Sequence, residues 1–400
     1  MSWRVVLFFL AAVMFATAGS FVLGWWASSN DILSGASGLL SPLKLSGLPS
    51  PVPRPLLEYS FDNLAQRRYR AAPIRITKTL ALENTFRAYE FEYLTMGKPM
   101  SGRLTVPVRL DPERPAPVVV MVRGFVPPEI YQPGVGTRRA AEIFAEAGLV
   151  TLAPDFFGFG NSAPEPVDPW EARFVKPINI IELLKSVEQF GVTSDDQPFV
   201  AASSQLGLWG HSNGGQIALS VLEILQQPYP TSLWAPVTAP FPYSILFFSD
   251  EHDDEGKAAR AWLAEFEQVY DVFEFSLTRH LDRLVGPIQL HHGGADQAAL
   301  KEWSDELVDK VAAENDRRLQ IMENRADGLA VQSAADNVPS PGTATNSADG
   351  TQLTDGTPAA LLEPIELTYF EYPGADHNLQ PDWNTVVARD IAFFEELLGS

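Results

Sequence analysis

Short apolar runs alternating with helical patterns constrain this chain more than any other feature. The runs are "APVVVMVRG", "LVTLAPD", "LGLWG", "SLWAPVTAP", "GPIQLHHGG" and "LTYFEYPG". Near-continuous apolar runs bounded by turn residues mark strands buried on both faces, as in a mostly parallel sheet. Between several of them lie "TRRAAEIFAEAG", "INIIELLKSVEQFG", "GGQIALSVLEILQQ" and "LKEWSDELVDKVAAE", with apolar residues at three- and four-residue spacing. Strand and helix in alternation predict a doubly wound α/β sheet with helices on both faces. Upstream, "TFRAYEFEYLTMG" and "SGRLTVPVRL" flank "MGKPM" with partial apolar–polar alternation. These read as antiparallel N-terminal strands joined by a turn.

Residues 56–400 therefore read as one α/β domain with two insertions. Residues 252–284 lie between two predicted strands and have a helical pattern, which suggests a small helical lid over the carboxyl edge of the sheet. Residues 324–358 are rich in Ser, Thr, Asp, Gly and Pro and poor in large apolar residues. That composition buries too little to order itself and predicts a disordered external loop.

The first residues stand outside this pattern. After Arg4 the chain carries no charge until Asp31, and its apolar part, Val5 to Ala27, is long enough to cross a bilayer, which takes about 20 residues. Trp25 and Trp26 fall where an interfacial aromatic belt would lie. Residues 1–30 thus read as a membrane anchor with the rest of the chain outside the cytoplasm. A signal cleaved near "WWASS", giving a secreted protein, is the alternative. Residues 31–55, rich in Ser, Gly, Pro and Leu, read as a flexible linker.

Composition removes several classes. A net charge of −21 argues against nucleic-acid binding, which needs Lys and Arg to displace counterions from phosphate. The chain has no cysteine, which excludes disulfides, thiolate metal sites and a Cys nucleophile.

Within "LGLWGHSNGG", residues 210–214 fit the pattern G-x-S-x-G with Ser212 at its centre. In a nucleophile elbow a strand delivers the serine onto a strained turn, and small neighbours let the following helix pass close by. "LGLWG" supplies the strand, Gly210, Gly214 and Gly215 the room, and "QIALSVLEIL" the helix. A serine hydroxyl becomes a useful nucleophile when a base takes its proton and an acid orients that base. Of the six histidines, His211 adjoins the serine and should point away from it; His252 and His280 fall in the expected lid. His291 and His292 sit in a strand pattern, which leaves His377, in "YFEYPGADHNL", at the turn leaving the last strand. Asp296, just past the strand "GPIQLHHGG", is the candidate acid; Asp250 and Asp253, after an earlier strand, are alternatives. A metal site from His291, His292 and Asp296 is disfavoured because adjacent strand residues face opposite ways, and no cofactor is called for.

Acyl transfer also needs hydrogen-bond donors for the tetrahedral oxyanion. The backbone N–H of Asn213, directly after the serine, and that of Phe125, after Arg123-Gly124 at a strand's end, are the candidates. "APDFFGFGNS", with Asp155, Gly158 and Gly160, reads as a structural turn beside the site.

Together, "GHSNGG", "GGAD" and "YPGADHNL" resemble the catalytic domain of the prolyl oligopeptidase family of α/β-hydrolases, over roughly residues 85–400. The resemblance implies Ser212 as nucleophile, Asp296 as orienting acid and His377 as base. It departs in two ways. The stretch between linker and first strand leaves no room for that family's β-propeller, and Val122 stands where the family has an oxyanion tyrosine. "RGF" is more similar to the backbone-donor loop of esterases and dienelactone-hydrolase-like enzymes. The expected function is hydrolysis of a small ester or short peptide, as a peptidase or a carboxylesterase. A catalytically silent binding protein on the same fold is the alternative.

Overall fold

The computed structural model describes residues 53–110, 115–192, 201–249, 254–336 and 363–399. Nine strands form one sheet in the order β1-β2-β3-β5-β4-β6-β7-β8-β9. They are β1 (Arg75–Leu82), β2 (Phe86–Thr95), β3 (Lys98–Pro107), β4 (Ala116–Val122), β5 (Val150–Pro154), β6 (Ala201–His211), β7 (Thr231–Trp234), β8 (Ile288–Gly293) and β9 (Leu367–Tyr372). The strands from β1 to β3 pair antiparallel, β3 pairs antiparallel with β5, and β4 onward is parallel. The expected α/β-hydrolase architecture is present, including its antiparallel start. The helices among the described residues are α1 (Phe61–Gln66), α2 (Arg138–Glu146), α3 (Pro169–Phe190), α4 (Asn213–Leu225), α5 (Ser244–Ser249), α6 (Lys257–Glu267), α7 (Lys301–Asp336) and α8 (Trp383–Leu398).

Local chemistry explains the main boundaries. Met96 and Gly97, at φ 52° and 74°, close the β2–β3 hairpin, a tight turn that needs two left-handed residues. The carboxylate of Glu182 on α3 accepts from the Met96 N–H at 2.6 Å and the Thr95 hydroxyl at 2.8 Å, tying that turn to the helix layer. Asp168 caps α3 through the N–H groups of Trp170 and Glu171, with Pro169 in the first turn and Gly191 at φ 65° after the last.

Successive residues of a strand face opposite sides. On one side Val119, Met121, Trp209 and Trp234 pack against Ala140 and Phe144 of α2 and Val386 and Phe394 of α8. The Phe144 and Phe394 rings meet edge to face, 5.8 Å between centroids. Helices α3 and α4 pack on the sheet as well, beside β2, β4, β6 and β7.

The helical insertion expected over 252–284 is, in its described part, an α-helix at Lys257–Glu267 followed by 3-10 turns at Val272–Phe275, Leu277–Arg279 and Leu281–Arg283. The break has a local cause. The Asp271 carboxylate accepts from the Phe273 N–H at 3.0 Å, a side-chain bond that competes with a continuous helical ladder. Residues 324–336, expected to be disordered, continue α7, because "NRADGLAVQSAAD" is rich in Ala and other helix formers and extends an existing helix at little cost. The rest of that segment lies outside the described residues. The same is true of Asp250 and Asp253, and of the 1–30 anchor and nearly all of the 31–55 linker. Among the described residues no helix is long and apolar enough to cross a membrane. Leu56–Ser244 with Asp271–Ser400 forms one compact unit, and Ile245–Tyr270 falls in a second.

Helix α4 carries one costly group. Glu223 is fully buried, neither carboxylate oxygen has a hydrogen-bond partner, and burial, with the charge of Asp282, pushes its pKa well above the ordinary value. The folded protein holds this proton where the unfolded chain, at about 4.3, releases it. Stability is therefore lost as pH rises above that value, by up to about 1.4 kcal/mol per unit. The Glu223→Gln variant should raise the thermal midpoint at pH 8 more than at pH 5. An equal gain at both values would show that Glu223 does not titrate.

Candidate active site

The sheet order reverses at β4. The chain moves from β4 outward to β5, then crosses back so that β6 lies on the other side of β4. Ligands of open α/β sheets bind outside the carboxyl ends of strands at such a switch point. The register Val122↔Gly210 ends both strands together, so the residues that follow, Arg123-Gly124 and His211-Ser212, emerge side by side.

Ser212 stands at the apex of the turn from β6 into α4, at φ 58° and ψ −125°. This left-handed conformation is costly for a residue with a side chain, so the surroundings must hold it. They do so through the backbone. The Ser212 N–H donates to the Trp234 carbonyl at 2.9 Å, and the Ser212 carbonyl accepts from Gly215 at 2.9 Å and Val237 at 3.1 Å. The neighbouring glycines are required by contact. A Cβ on Gly214 would lie 2.0 Å from the Val122 carbonyl oxygen, which real atoms do not permit. A Cβ on Gly124 would lie 2.8 Å from Ser212 Cβ and 3.4 Å from its Oγ.

Asp296 follows β8 and His377 follows β9. Their side chains meet, with His377 Nδ1 2.8 Å from Asp296 Oδ2. The other carboxylate oxygen accepts from the backbone N–H groups of Ala298 at 2.8 Å and Ala299 at 3.0 Å. Burial alone would raise the Asp296 pKa, but the hydrogen bonds from His292 and His377 outweigh it and hold the carboxyl well below the usual range. Asp296 is thus a fixed anion at neutral pH. His377 Nδ1 donates to it, which leaves Nε2 free to accept a proton. No hydrogen bond joins Ser212 Oγ to His377 in this structure. Asp376, next to His377 in sequence, turns its carboxylate back on its own loop, accepting from Asn378 and Gln380 at 2.9 Å each.

Asn213 is the first residue of α4, where helical N–H groups have no partner within the helix. Phe125 lies in the loop after β4, and its N–H makes no hydrogen bond among the described residues. Asp155, read as part of a structural turn, is buried there and accepts from the Ser101 and Tyr131 hydroxyls.

Several supporting residues escaped the sequence reading. His211 has its ring 4.8 Å from that of His377, and its Nε2 donates to the His377 carbonyl at 2.8 Å. Burial, then the nearby His377 charge, lowers its pKa to about 4, so it stays neutral and braces the loop. His292 is buried, with Nδ1 2.6 Å from Ser304 Oγ and Nε2 3.0 Å from the Ala299 carbonyl and 3.2 Å from Asp296 Oδ2. It steadies the acid from behind. Spacing alone could not show the His211 contact, which crosses between strand ends, whereas the His292 contacts fold back from the turn that follows its own strand. Arg123 was noted only as the start of "RGF", yet it is buried with its guanidinium against the Gly124 carbonyl.

The fold is an α/β-hydrolase architecture, and Ser212, Asp296 and His377 each follow a strand of its parallel part. No family model and no curated protein matches the chain. Among solved structures it is similar to an acetyl xylan esterase from Paenibacillus sp. R4, at 15% identity and a TM-score of 0.52 over 86% of this chain and 96% of that one. It is also similar to acetyl xylan esterase 1 from Thermoanaerobacterium sp. JW/SL YS485, at 13% identity and a TM-score of 0.50 over 87% and 95%. A puromycin-hydrolyzing peptidase of Mycobacterium tuberculosis matches at 17% identity and a TM-score of 0.49, and this chain, matched over 78%, spans 40% of it. At these identities the likeness establishes the fold.

Proposed function

We propose that the protein is a serine hydrolase that cleaves a carboxyl ester or a peptide/amide bond through an acyl-enzyme. One observation carries the reading. Ser212, held at φ 58°, and the Asp296–His377 pair, bonded at 2.8 Å, leave the same carboxyl edge of one sheet. His377 Nε2 takes the Ser212 proton as Oγ attacks the carbonyl carbon, and Asp296 holds the ring in the tautomer this requires. The oxyanion accepts from the backbone N–H groups of Asn213 and Phe125. His377 returns the proton to the leaving group, and water repeats the sequence to release the acid.

Ester cleavage is favoured by the likeness to two acetyl xylan esterases along nearly their full lengths. Prolyl oligopeptidase-like cleavage of short peptides is the second form, supported by "GHSNGG" and "YPGADHNL". In this reading the hydrolase domain lies outside the cytoplasm on an N-terminal anchor, supported by the uncharged stretch after Arg4. Carbonate washing should leave an anchored protein with the membrane, and its release would count against the anchor.

A fluorophosphonate probe should label the folded protein, with peptide mapping placing the adduct on Ser212. Absence of labelling would overturn the enzymatic reading in favour of a binding protein on the same fold. A kcat/KM at least tenfold higher for p-nitrophenyl acetate than for aminoacyl p-nitroanilides identifies an esterase; the reverse identifies a peptidase.

A further inference from the structure

Arg123 is 6% exposed, and burial lowers its pKa although Tyr131, Asp155 and Glu165 pull the other way; among the described residues no carboxylate pairs with it directly. Its Nη1 donates to the Gly124 carbonyl at 3.0 Å and its Nη2 to the Asp155 carbonyl at 2.8 Å, while Nε has no partner. Aromatic rings surround the rest. The guanidinium carbon lies 4.2 Å from the Phe159 ring centre, 4.7 Å from that of Tyr131 and 5.5 Å from that of Phe156. Phe156 itself is held at φ 71°, a strained backbone for a bulky residue, so the cage is built at some cost. A buried cation facing carbonyls and ring faces is expensive to desolvate. Leu or Met would fill the same aromatic cage without that penalty. What only an arginine does here is grip two carbonyls at fixed angles with a planar fork.

One of those carbonyls belongs to the peptide that matters for the reaction. Gly124 is pressed against Ser212, and the Gly124 C=O shares a rigid plane with the Phe125 N–H. In a trans peptide the two point in opposite directions, so holding the carbonyl fixes the N–H. The Phe125 N–H is spent on no hydrogen bond among the described residues.

We propose that Arg123 is a positioning residue, whose grip on the Gly124 carbonyl turns the Phe125 N–H toward the oxyanion formed on Ser212. The inference rests on the hydrolase reading above and adds to it the group that orients the second donor. Arg123 does not touch substrate. Its effect falls on the transition state, where the oxyanion exists, and leaves ground-state binding alone.

The test uses the full chain. The parent is first labelled at Ser212 with a fluorophosphonate; failure at that stage strikes the hydrolase reading itself. Arg123→Lys and Arg123→Gln are then compared with the parent on p-nitrophenyl acetate and on an ester-mimicking trifluoromethyl ketone, whose hemiketal oxyanion occupies the same position. The expected result is a fall in kcat of roughly 10- to 100-fold with KM within threefold, and a matching loss of ketone affinity. Lysine should not rescue, because it keeps the charge and loses the fork. Phe125→Pro removes the donor directly from an exposed loop residue and should cost roughly 10²- to 10³-fold in kcat. Where the parent is labelled, a folded Arg123 variant that keeps parent kcat, or loses only in KM, overturns the proposal. Parent kcat in Phe125→Pro does the same, even if the arginine variants do not fold.

Discussion

Ser212→Ala lowers kcat for p-nitrophenyl acetate by roughly 10⁴- to 10⁶-fold and leaves the thermal midpoint at or above that of the parent. The size follows from the role proposed for the hydroxyl. It is the atom that forms the covalent bond, and no neighbouring side chain can take its place. Fold stability should not fall, because backbone bonds hold the turn: Ser212 N–H to Trp234, and Gly215 and Val237 to the Ser212 carbonyl. Alanine keeps all three. His377→Ala should cost nearly as much, since an un-ionised serine is a weak nucleophile without its base. The double variant should be scarcely slower than either single one, because residues acting as a unit do not contribute additively. Steady-state kinetics on all three variants decides this. If the two losses multiply, Ser212 and His377 act in separate steps and the shared mechanism fails.

The strands, the elbow and the order Ser–Asp–His were legible because each is written in local pattern. Apolar runs bounded by turns gave β4 to β9, and glycines on both sides of Ser212 announced a close-packed turn. Gly214 shows why: its Cα sits so near the Val122 carbonyl that no side chain fits. What the sequence concealed arises where separate strand ends converge. His211 was judged by its neighbour in sequence, although its partner is His377, 166 residues away. His292 and His291 looked alike in a strand, yet the pleat sends one to Asp296 and Ser304 and the other to Asp390 and Tyr372. The segment 324–336 was misjudged for a different reason: its alanines extend a long helix that already precedes them, where composition alone suggested a loop. Arg123 carried no pattern at all, since one arginine in a turn is ordinary until its burial is seen.

Asp390→Ala should destabilise the fold by about 4 kcal/mol, the largest stability effect expected from one substitution. Asp390 lies on α8 and is fully buried. Its Oδ1 accepts from Ser232 at 2.6 Å, Gln289 at 2.9 Å and His291 at 3.0 Å, and its Oδ2 from the indoles of Trp234 at 2.8 Å and Trp209 at 3.2 Å. Those donors come from three adjacent strands: β6, which leads to Ser212, β7, and β8, which leads to Asp296. One carboxylate thus fastens to a single helix the three strands whose ends carry the elbow and the acid. Removing it leaves five buried donors without their acceptor, and taking away one partner of a buried charged network costs about 3–5 kcal/mol as the surroundings relax. Asp390→Asn is nearly isosteric but turns one acceptor into a donor, which now faces N–H or O–H groups, so it should cost about half as much. Urea unfolding with an unchanged slope would read both losses as changes in stability. A shift below about 1 kcal/mol for the alanine variant would mean that the strands are held by their apolar contacts alone, with the carboxylate only a passenger in the core.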